Sequence, residues 1–258
     1  MVYRRLQRRM QARSAALLSA METRLDRMLL AWLLIAGIVC SARMIAAPGP
    51  LAAVSPGSAL PYLLVVIAPV ASMVMALRWF AEADRQPQPA TRFAIAGRWR
   101  GVSPAEARAH PLYGAGGVMV SLLAGMLLNV AVRAAEFLAA IPPIPSGAPE
   151  WLSTLQVAMT LDVVLFTSLY AIAFVAALKR LPLFPRLLVT IWLCDLAAQL
   201  LIGDVVASSP GLPAGVAGAL HELLAGNVGK VLISAALWLP YLLLSTRVNV
   251  TYRHRLPA

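Results

Sequence analysis

The chain has 258 residues, of which 60% are hydrophobic and only 13% are charged, and its formal net charge is +11. This composition lies far from that of soluble domains and indicates a membrane protein. The basic excess would also suit nucleic acid, but the sequence has no nucleic-acid-binding motif and no zinc-ligand spacing. We therefore predict that the basic residues face a lipid bilayer with an anionic inner leaflet, and that the protein binds no nucleic acid.

Residues 1–27 form a basic segment. Leu6, Met10 and Leu17 belong to an apolar series near helical spacing, with arginines at the intervening positions. This pattern predicts an amphipathic helix on the inner leaflet, with a partner-binding helix as the alternative. The apolar stretch that follows from Met28 is predicted to be an uncleaved signal anchor.

Apolar segments long enough to span a bilayer recur along the rest of the chain. A hydrocarbon core of ~30 Å requires ~20 apolar helical residues. We predict an all-α integral membrane protein with six transmembrane helices. The six windows are 28–47, 59–80, 115–139, 153–178, 186–206 and 229–246.

The basic residues predict the orientation of these helices. The connections at 48–57, 141–152 and 205–228 contain no Lys or Arg. Because basic loops stay on the cytoplasmic side, we predict that both termini are cytoplasmic. Most of the 22 Lys and Arg residues fall into four groups: Arg4, Arg5, Arg8, Arg9, Arg13, Arg24 and Arg27; Arg85, Arg92, Arg98, Arg100 and Arg108; Lys179, Arg180 and Arg186; and Arg247, Arg253 and Arg255.

Two connections contain recognisable local signals. In the Pro- and Arg-rich loop 81–113, Ser103, Pro104 and Glu106 have the spacing of a capping box and predict a short surface helix. In the outer loop 205–228, the apolar run 216–224 predicts one interfacial helix. Prolines and basic residues over 179–186 are expected to end the fourth transmembrane helix before the fifth begins.

The end of the last helix resembles a known family signature, Trp-x-Pro-Tyr-x3-Ser-x-Arg-Val-x2-Thr. The residues that match it are Trp238, Pro240, Tyr241, Ser245, Arg247, Val248 and Thr251. The signature is similar to that of the bacterial inner-membrane domain-of-unknown-function family 2569. The paired glycines Gly116 and Gly117, and the basic turn that begins at Lys179, are similar as well. The chain departs from the family by lacking a Trp after the paired glycines and by having Asn249 where a second basic residue is usual.

The resemblance covers about residues 111–258 and leaves the N-terminal third uncovered. It implies a multi-pass protein of the bacterial inner (plasma) membrane and no particular activity. We divide the chain into the basic segment 1–27, a two-helix membrane hairpin 28–80, the cytoplasmic loop 81–113 and a four-helix membrane domain 114–258.

Several charged and polar residues fall inside the predicted transmembrane helices. A charge at the centre of such a helix costs roughly 2.5–3.5 kcal/mol. Arg133 and Glu136 are three residues apart and are expected to pair along their helix, whereas Lys230 is expected to reach the outer headgroups. The candidate intramembrane polar site consists of Arg133, Glu136, Asp162, Asp195 and Gln199.

This site has two interpretations. In the structural one, Arg133 neutralises Asp195 or Asp162 and fixes the register of the helices. In the functional one, the same groups line a polar path or an anion site. The third helix also carries small and polar residues at steps of four, which allow another helix to approach closely. This helix-packing stripe consists of Gly117, Ser121, Gly125 and Asn129.

The sequence favours a role without catalysis. It contains no Gly-x-Ser-x-Gly elbow, no phosphate-binding loop and no His pair at helical spacing, so we predict no enzyme, no cofactor and no metal. The leading hypothesis is an accessory, scaffold or assembly subunit of a larger membrane complex, bound to a membrane-protein partner or to further copies of itself. The alternative is a small-solute or proton-coupled transporter component that uses the intramembrane charges.

Overall fold

A computed structural model describes residues 2–46, 56–90, 97–144 and 147–258. Most of the predicted connection over 48–57 therefore lies outside the described residues, as do Arg92 and the side chains of residues 1–8 and 10. The described elements are α1 (Val2–Thr23), α2 (Leu25–Ile45), α3 (Pro56–Trp79), β1 (Trp99–Gly101), α4 (Pro104–Ala109), α5 (Met119–Ala140), α6 (Glu150–Leu178), α7 (Phe184–Ala207), α8 (Ala214–Leu244), α9 (Thr246–Arg253) and β2 (Arg255–Pro257).

Six helices of the described chain, α2, α3 and α5 to α8, are long and apolar enough to cross a membrane. The prediction of an all-α membrane protein with six transmembrane helices is confirmed. The outer loop is shorter than predicted, because α8 begins at Ala214 and runs without a break for 31 residues. The predicted interfacial helix 216–224 is therefore wrong. Nothing between Pro213 and Pro240 is a strong helix breaker, since glycine costs only about 1 kcal/mol at each position.

Helix α6 lies at the centre of the bundle. It packs against α3, α5 and α7, while α2 packs on α3 and α8 packs on α7. Its alanines Ala171, Ala173 and Ala176 are fully buried and allow the neighbouring helices to approach closely. Helices α2 and α8 are the most exposed of the six.

The basic N-terminal segment is helical, as predicted. Helix α1 is separated from α2 only by Arg24. Its second half packs on the bundle: Met21 is buried, and the Ser14 hydroxyl donates a hydrogen bond of 2.9 Å to the carbonyl oxygen of Gly117. This contact places α1 beside the start of α5. Its position on a lipid leaflet stays a prediction.

The loop before α5 contains a strand that the sequence did not indicate. Strand β1 pairs antiparallel with β2 near the C-terminus, with Trp99 opposite Pro257. The capping box after it is confirmed in its main feature, since the amide of Glu106 donates to the Ser103 hydroxyl at 3.2 Å and Pro104 is the first helical residue. The Glu106 carboxylate binds Arg100 instead of the backbone.

The turn between α6 and α7 forms where it was predicted. Helix α6 ends at Leu178, and Arg180 adopts a left-handed conformation with φ 59°. The amide of Leu181 donates to the carbonyl of Ala176 at 2.8 Å, which is the hydrogen bond of a Schellman motif. The Arg180 guanidinium lies over the ring of Tyr113. The basic turn therefore contacts the segment before α5, at the same end of the bundle as α1.

Candidate functional site

Arg133 joins two buried carboxylates from neighbouring helices. On α5, its Nη1 atom donates to Oδ2 of Asp162 on α6 at 2.8 Å, and its Nη2 atom donates to Oδ2 of Asp195 on α7 at 2.6 Å. The side chains are 10%, 4% and 0% exposed, respectively. Where the sequence suggested that Arg133 neutralises one aspartate or the other, the structure shows that it contacts both.

These charges lie near the middle of the transmembrane helices. At a rise of about 1.5 Å per residue, Asp162 is about 18 Å from the start of α6 and about 24 Å from its end. Asp195 is about 17 Å from the start of α7 and about 18 Å from its end. Because the three side chains are buried at this depth, water screens their charges only weakly, and they depend on one another for stabilisation.

Further polar and aromatic groups complete the contacts of the two aspartates. Gln199 donates through Nε2 to Oδ1 of Asp162 at 2.8 Å, and the Tyr170 hydroxyl donates to Oδ2 of Asp195 at 3.2 Å. The Arg133 guanidinium lies over the ring of Phe166, 4.9 Å from its centroid. Sequence reasoning missed Tyr170 and Phe166, although both follow Asp162 at helical steps of four on one face of α6.

Helix α8 extends this network. Asn227 donates to Oε1 of Gln199 at 3.1 Å and accepts from Lys230 at 3.3 Å, while Lys230 forms an ion pair with Glu136. The predicted pairing of Glu136 with Arg133 is therefore wrong, because the two aspartates draw Arg133 towards α6 and α7. Lys230 is half exposed and binds Glu136, and its predicted contact with the headgroups stays a prediction. Asn227, one turn before Lys230, was missed.

We use the name Arg133 network for the residues joined by these contacts. Its members are Arg133, Glu136, Asp162, Tyr170, Asp195, Gln199, Asn227 and Lys230. All five residues of the candidate polar site belong to it. Among the described residues, no group of three or more His, Cys, Asp or Glu side chains is arranged to hold a metal ion.

The middle of the predicted helix-packing stripe faces away from the bundle. Gly117 precedes α5, and Ser121 and Gly125 are exposed. A Cβ atom added at Gly125 would meet no atom within 4 Å. The amide oxygen of Asn129, by contrast, is buried beside Asn227 and Lys230 of α8 and has no hydrogen-bond partner in the described chain. Helix α5 instead turns its larger apolar residues, such as Met126, towards α6. Among the described residues, α1 contacts the stripe at Gly117, and no helix covers Ser121 or Gly125, so close packing of a helix there stays a prediction.

The signature residues near the C-terminus contact the paired glycines. Arg247 donates through Nη1 to the carbonyl of Gly114 at 3.2 Å, and the amide of Gly114 donates to the Thr251 hydroxyl at 3.0 Å. A Cβ atom on Gly116 or Gly117 would lie only 3.4 or 3.3 Å from the Arg247 side chain. Both glycines therefore give Arg247 room at the start of α5.

The other signature residues shape the end of α8 and the fold of α9. Trp238 packs edge-on against Tyr241, Pro240 lies within α8, and Val248 is fully buried. Ser245 separates the two helices, and its carbonyl accepts a hydrogen bond from the Asn249 side chain at 3.1 Å. These contacts hold α9 against the end of the bundle.

Two residues of α9 are buried together with their polar groups. The Tyr252 hydroxyl donates to the carbonyl of Ala177 at 2.8 Å, and burial raises the pKa of this hydroxyl, so that it remains a neutral donor. Arg253 donates to the carbonyl of Leu242 and to Oδ1 of Asn249. Burial lowers the pKa of Arg253 to about 10, with smaller effects from neighbouring arginines. The unusual Asn249 thus supplies an acceptor where a basic residue would repel Arg253.

Comparison with known proteins gives one match. The model of a family described as "Protein of unknown function (DUF2569)" matches residues 112–253. No curated protein and no solved structure matches the chain.

Proposed function

We propose, from the premise that this chain belongs to the DUF2569 family of proteins of unknown function, that it is an accessory, scaffold or assembly subunit of a larger complex. The protein is a multi-pass membrane protein. We place it in the bacterial inner membrane, without enzymatic activity of its own. Its partner is either another membrane protein or a second copy of the chain.

The outward-facing edge of α5 carries this proposal. Ser121 and Gly125 are exposed there, and a Cβ atom added at Gly125 would meet no atom within 4 Å. Further along the same edge, the ion pair between Glu136 and Lys230 is only partly covered. Lipid tails offer no hydrogen bonds to such groups, whereas a partner helix with small and polar residues both fits closely and supplies them. The α5 edge is therefore suited to another helix more than to lipid.

The partner proposal is tested by enlarging the small residue at the centre of this edge. Mild detergent extraction of the tagged protein should recover a partner, or a second copy, in stoichiometric amount. Gly125→Leu should remove that partner and leave the fold unchanged. Ala131→Leu, which adds three carbons instead of four at an exposed position on another side of α5, should retain it. Recovery of monomer alone in several mild detergents, or full retention by Gly125→Leu, would overturn the proposal.

We place the end of the bundle that carries the basic groups on the cytoplasmic side, together with both termini. The contacts of Ser14 with Gly117, of Arg180 with Tyr113 and of Arg247 with Gly114 support this, because they bring the basic segments to one end. Basic residues on that side would face the anionic inner leaflet.

The orientation is tested with a membrane-impermeant thiol reagent on intact cells. The two native cysteines, Cys40 and Cys194, are first replaced by alanine. Ser208→Cys, at the opposite end of the bundle, should then react from outside. Arg100→Cys should react only after the membrane is permeabilised. The reverse pattern would invert the topology.

A second candidate function is small-solute or proton-coupled transport. The observation that favours it is the mid-depth position of Arg133 between Asp162 and Asp195, because charges inside a membrane are rarely retained without use. Charge exchange separates the two roles. If Arg133→Gln and Asp195→Asn each destabilise the protein while the double variant recovers folding and complements a deletion strain, the charges are structural. A stably folded double variant that fails to complement favours transport.

A further inference from the structure

The Arg133 network has one negative charge too many. Arg133 brings one positive charge to the two carboxylates of Asp162 and Asp195, and the nearby pair of Glu136 and Lys230 is neutral in itself. The uncharged members are Tyr170 on α6, Gln199 on α7 and Asn227 on α8. Helix α3, which also packs on α6, has no charged residue before Arg78. With all its carboxylates ionised, the network would therefore carry a net charge of −1 at mid-depth.

We propose that the network binds one exchangeable proton, held by the carboxyl group of Asp162. Binding adds a proton from water to one Asp162 oxygen, and release returns it to water, so no other bond forms or breaks. The group of Arg133, ionised Asp195 and protonated Asp162 is then neutral. This removes the high cost of an uncompensated charge in a region that excludes water.

The hydrogen bonds assign the proton to Asp162 rather than to Asp195. Asp195 accepts from three donors, Arg133, Tyr170 and Gln199, and the Arg133 guanidinium contacts both of its oxygens. Asp162 accepts only from Arg133 and Gln199. A protonated carboxyl group still accepts hydrogen bonds through its remaining lone pairs, so both of these contacts can persist.

Asp162 also has access to space through which a proton can exchange. It lines a cavity of about 10 Å³ shared with Arg133, Glu136 and Asn227. A neighbouring cavity of about 20 Å³ reaches Lys230. The groove of about 560 Å³ between α6 and α7 that Asp162 also lines is mostly apolar, with residues such as Leu161 and Leu201 facing lipid, and offers no path for a proton. Each of the two small cavities has room for about one water molecule, and the side chain of Asp195 is fully buried away from them.

The proton-binding site is independent of the partner proposed for α5, because it rests on the interior of the bundle. The two proposals can therefore fail separately. The site would supply the coupling ion of a transporter, but it does not require that the protein transports anything.

Infrared spectroscopy of the full chain in lipid nanodiscs tests the proposal. At neutral pH, the wild-type protein should show the carbonyl stretching band of a protonated carboxylic acid. The band should move on labelling with ¹³C-aspartate and shift in D₂O, which identifies an exchangeable aspartic acid without any substitution. Asp162→Asn should abolish it. Asp204→Asn, a matched change at an exposed residue of α7, should leave it unchanged. Absence of the band from the wild type, or its persistence in Asp162→Asn, would overturn the proposal.

Thermal unfolding gives a second measurement. Asp162→Asn replaces a neutral acid with a neutral amide, so the Tm should stay the same or rise. Asp195→Asn removes the carboxylate that accepts the most hydrogen bonds, so the Tm should fall. Replacing choline chloride by sodium chloride at constant ionic strength should have no effect. A larger loss for Asp162→Asn than for Asp195→Asn, or stabilisation by Na⁺ specifically, would contradict a bound proton.

Discussion

Removing the positive charge of Arg133 should lower the stability of the protein more than any other single polar change in the bundle. Arg133→Gln leaves the carboxyl group of Asp162 and the carboxylate of Asp195, now 2.8 and 2.6 Å from the guanidinium, without a cation. Deleting one partner of a buried ion pair costs about 3–5 kcal/mol. The cost should shrink as the pH falls, because protonation of Asp195 then removes the unpaired charge. Unfolding of the detergent-solubilised protein in mixed SDS micelles, followed by tryptophan fluorescence, measures this loss.

A matched control uses the partly exposed ion pair of the same network. Lys230→Gln should cost about 1 kcal/mol or less, since solvent or headgroups can replace much of what Glu136 loses. The triple variant Arg133→Gln, Asp162→Asn and Asp195→Asn should regain most of the stability lost in Arg133→Gln. If Arg133→Gln costs no more than Lys230→Gln, the two aspartates do not depend on Arg133 and the reasoning fails.

Two further changes test the packing of the signature residues. Gly117→Ala should lower stability by about 1–2 kcal/mol, since Gly117 has a φ of 66° and an added Cβ would press on Arg247. Gly125→Ala, in an open helical position, should be neutral or slightly stabilising. Equal shifts in Tm for the two variants would contradict this account. Tyr252→Phe should cost about 1–3 kcal/mol by leaving the buried carbonyl of Ala177 without its donor, and an unchanged Tm would show that another group replaces it.

The transmembrane helices were predictable because their signals are local. An apolar run of sufficient length predicts a span wherever it occurs, and the prolines and basic residues around Arg180 act on the residues next to them. The same reasoning failed at α8, where the predicted boundary near Lys230 rested on a change in composition. Composition alone does not end a helix, and between Pro213 and Pro240 no residue lacks the backbone N–H that continues it.

The sequence predicted which residues belong to the Arg133 network better than it predicted which of them contact each other. A charged residue inside an apolar helix is visible in the sequence, so Asp162 and Asp195 could be predicted as members of the site. Which of them Arg133 contacts depends on how α5, α6 and α7 are rotated about their axes. Spacing along α5 suggested Glu136, but the paired aspartates of the neighbouring helices outweigh that contact.

Pairing between distant segments could not be predicted at all from local pattern. Strands β1 and β2 are three residues long, and each is too short to show a periodicity. The paired glycines gave a detectable signal, and so did Arg247, but only the structure shows that the glycines leave space for the arginine. Such contacts depend on the three-dimensional arrangement of the helices.

The pairing of β1 with β2 means that this end of the bundle can fold only after nearly the whole chain has been synthesised. Strand β1 leaves the ribosome before α5, whereas α9 and β2 follow all six transmembrane helices. The backbone groups of Gly114 therefore lack their partners Arg247 and Thr251 until the last transmembrane helix has been synthesised. A chain that stops early leaves these groups and strand β1 uncovered. Closure of that end is thus the last step in the folding of the described chain, and it can begin only when α9 and β2 have been made.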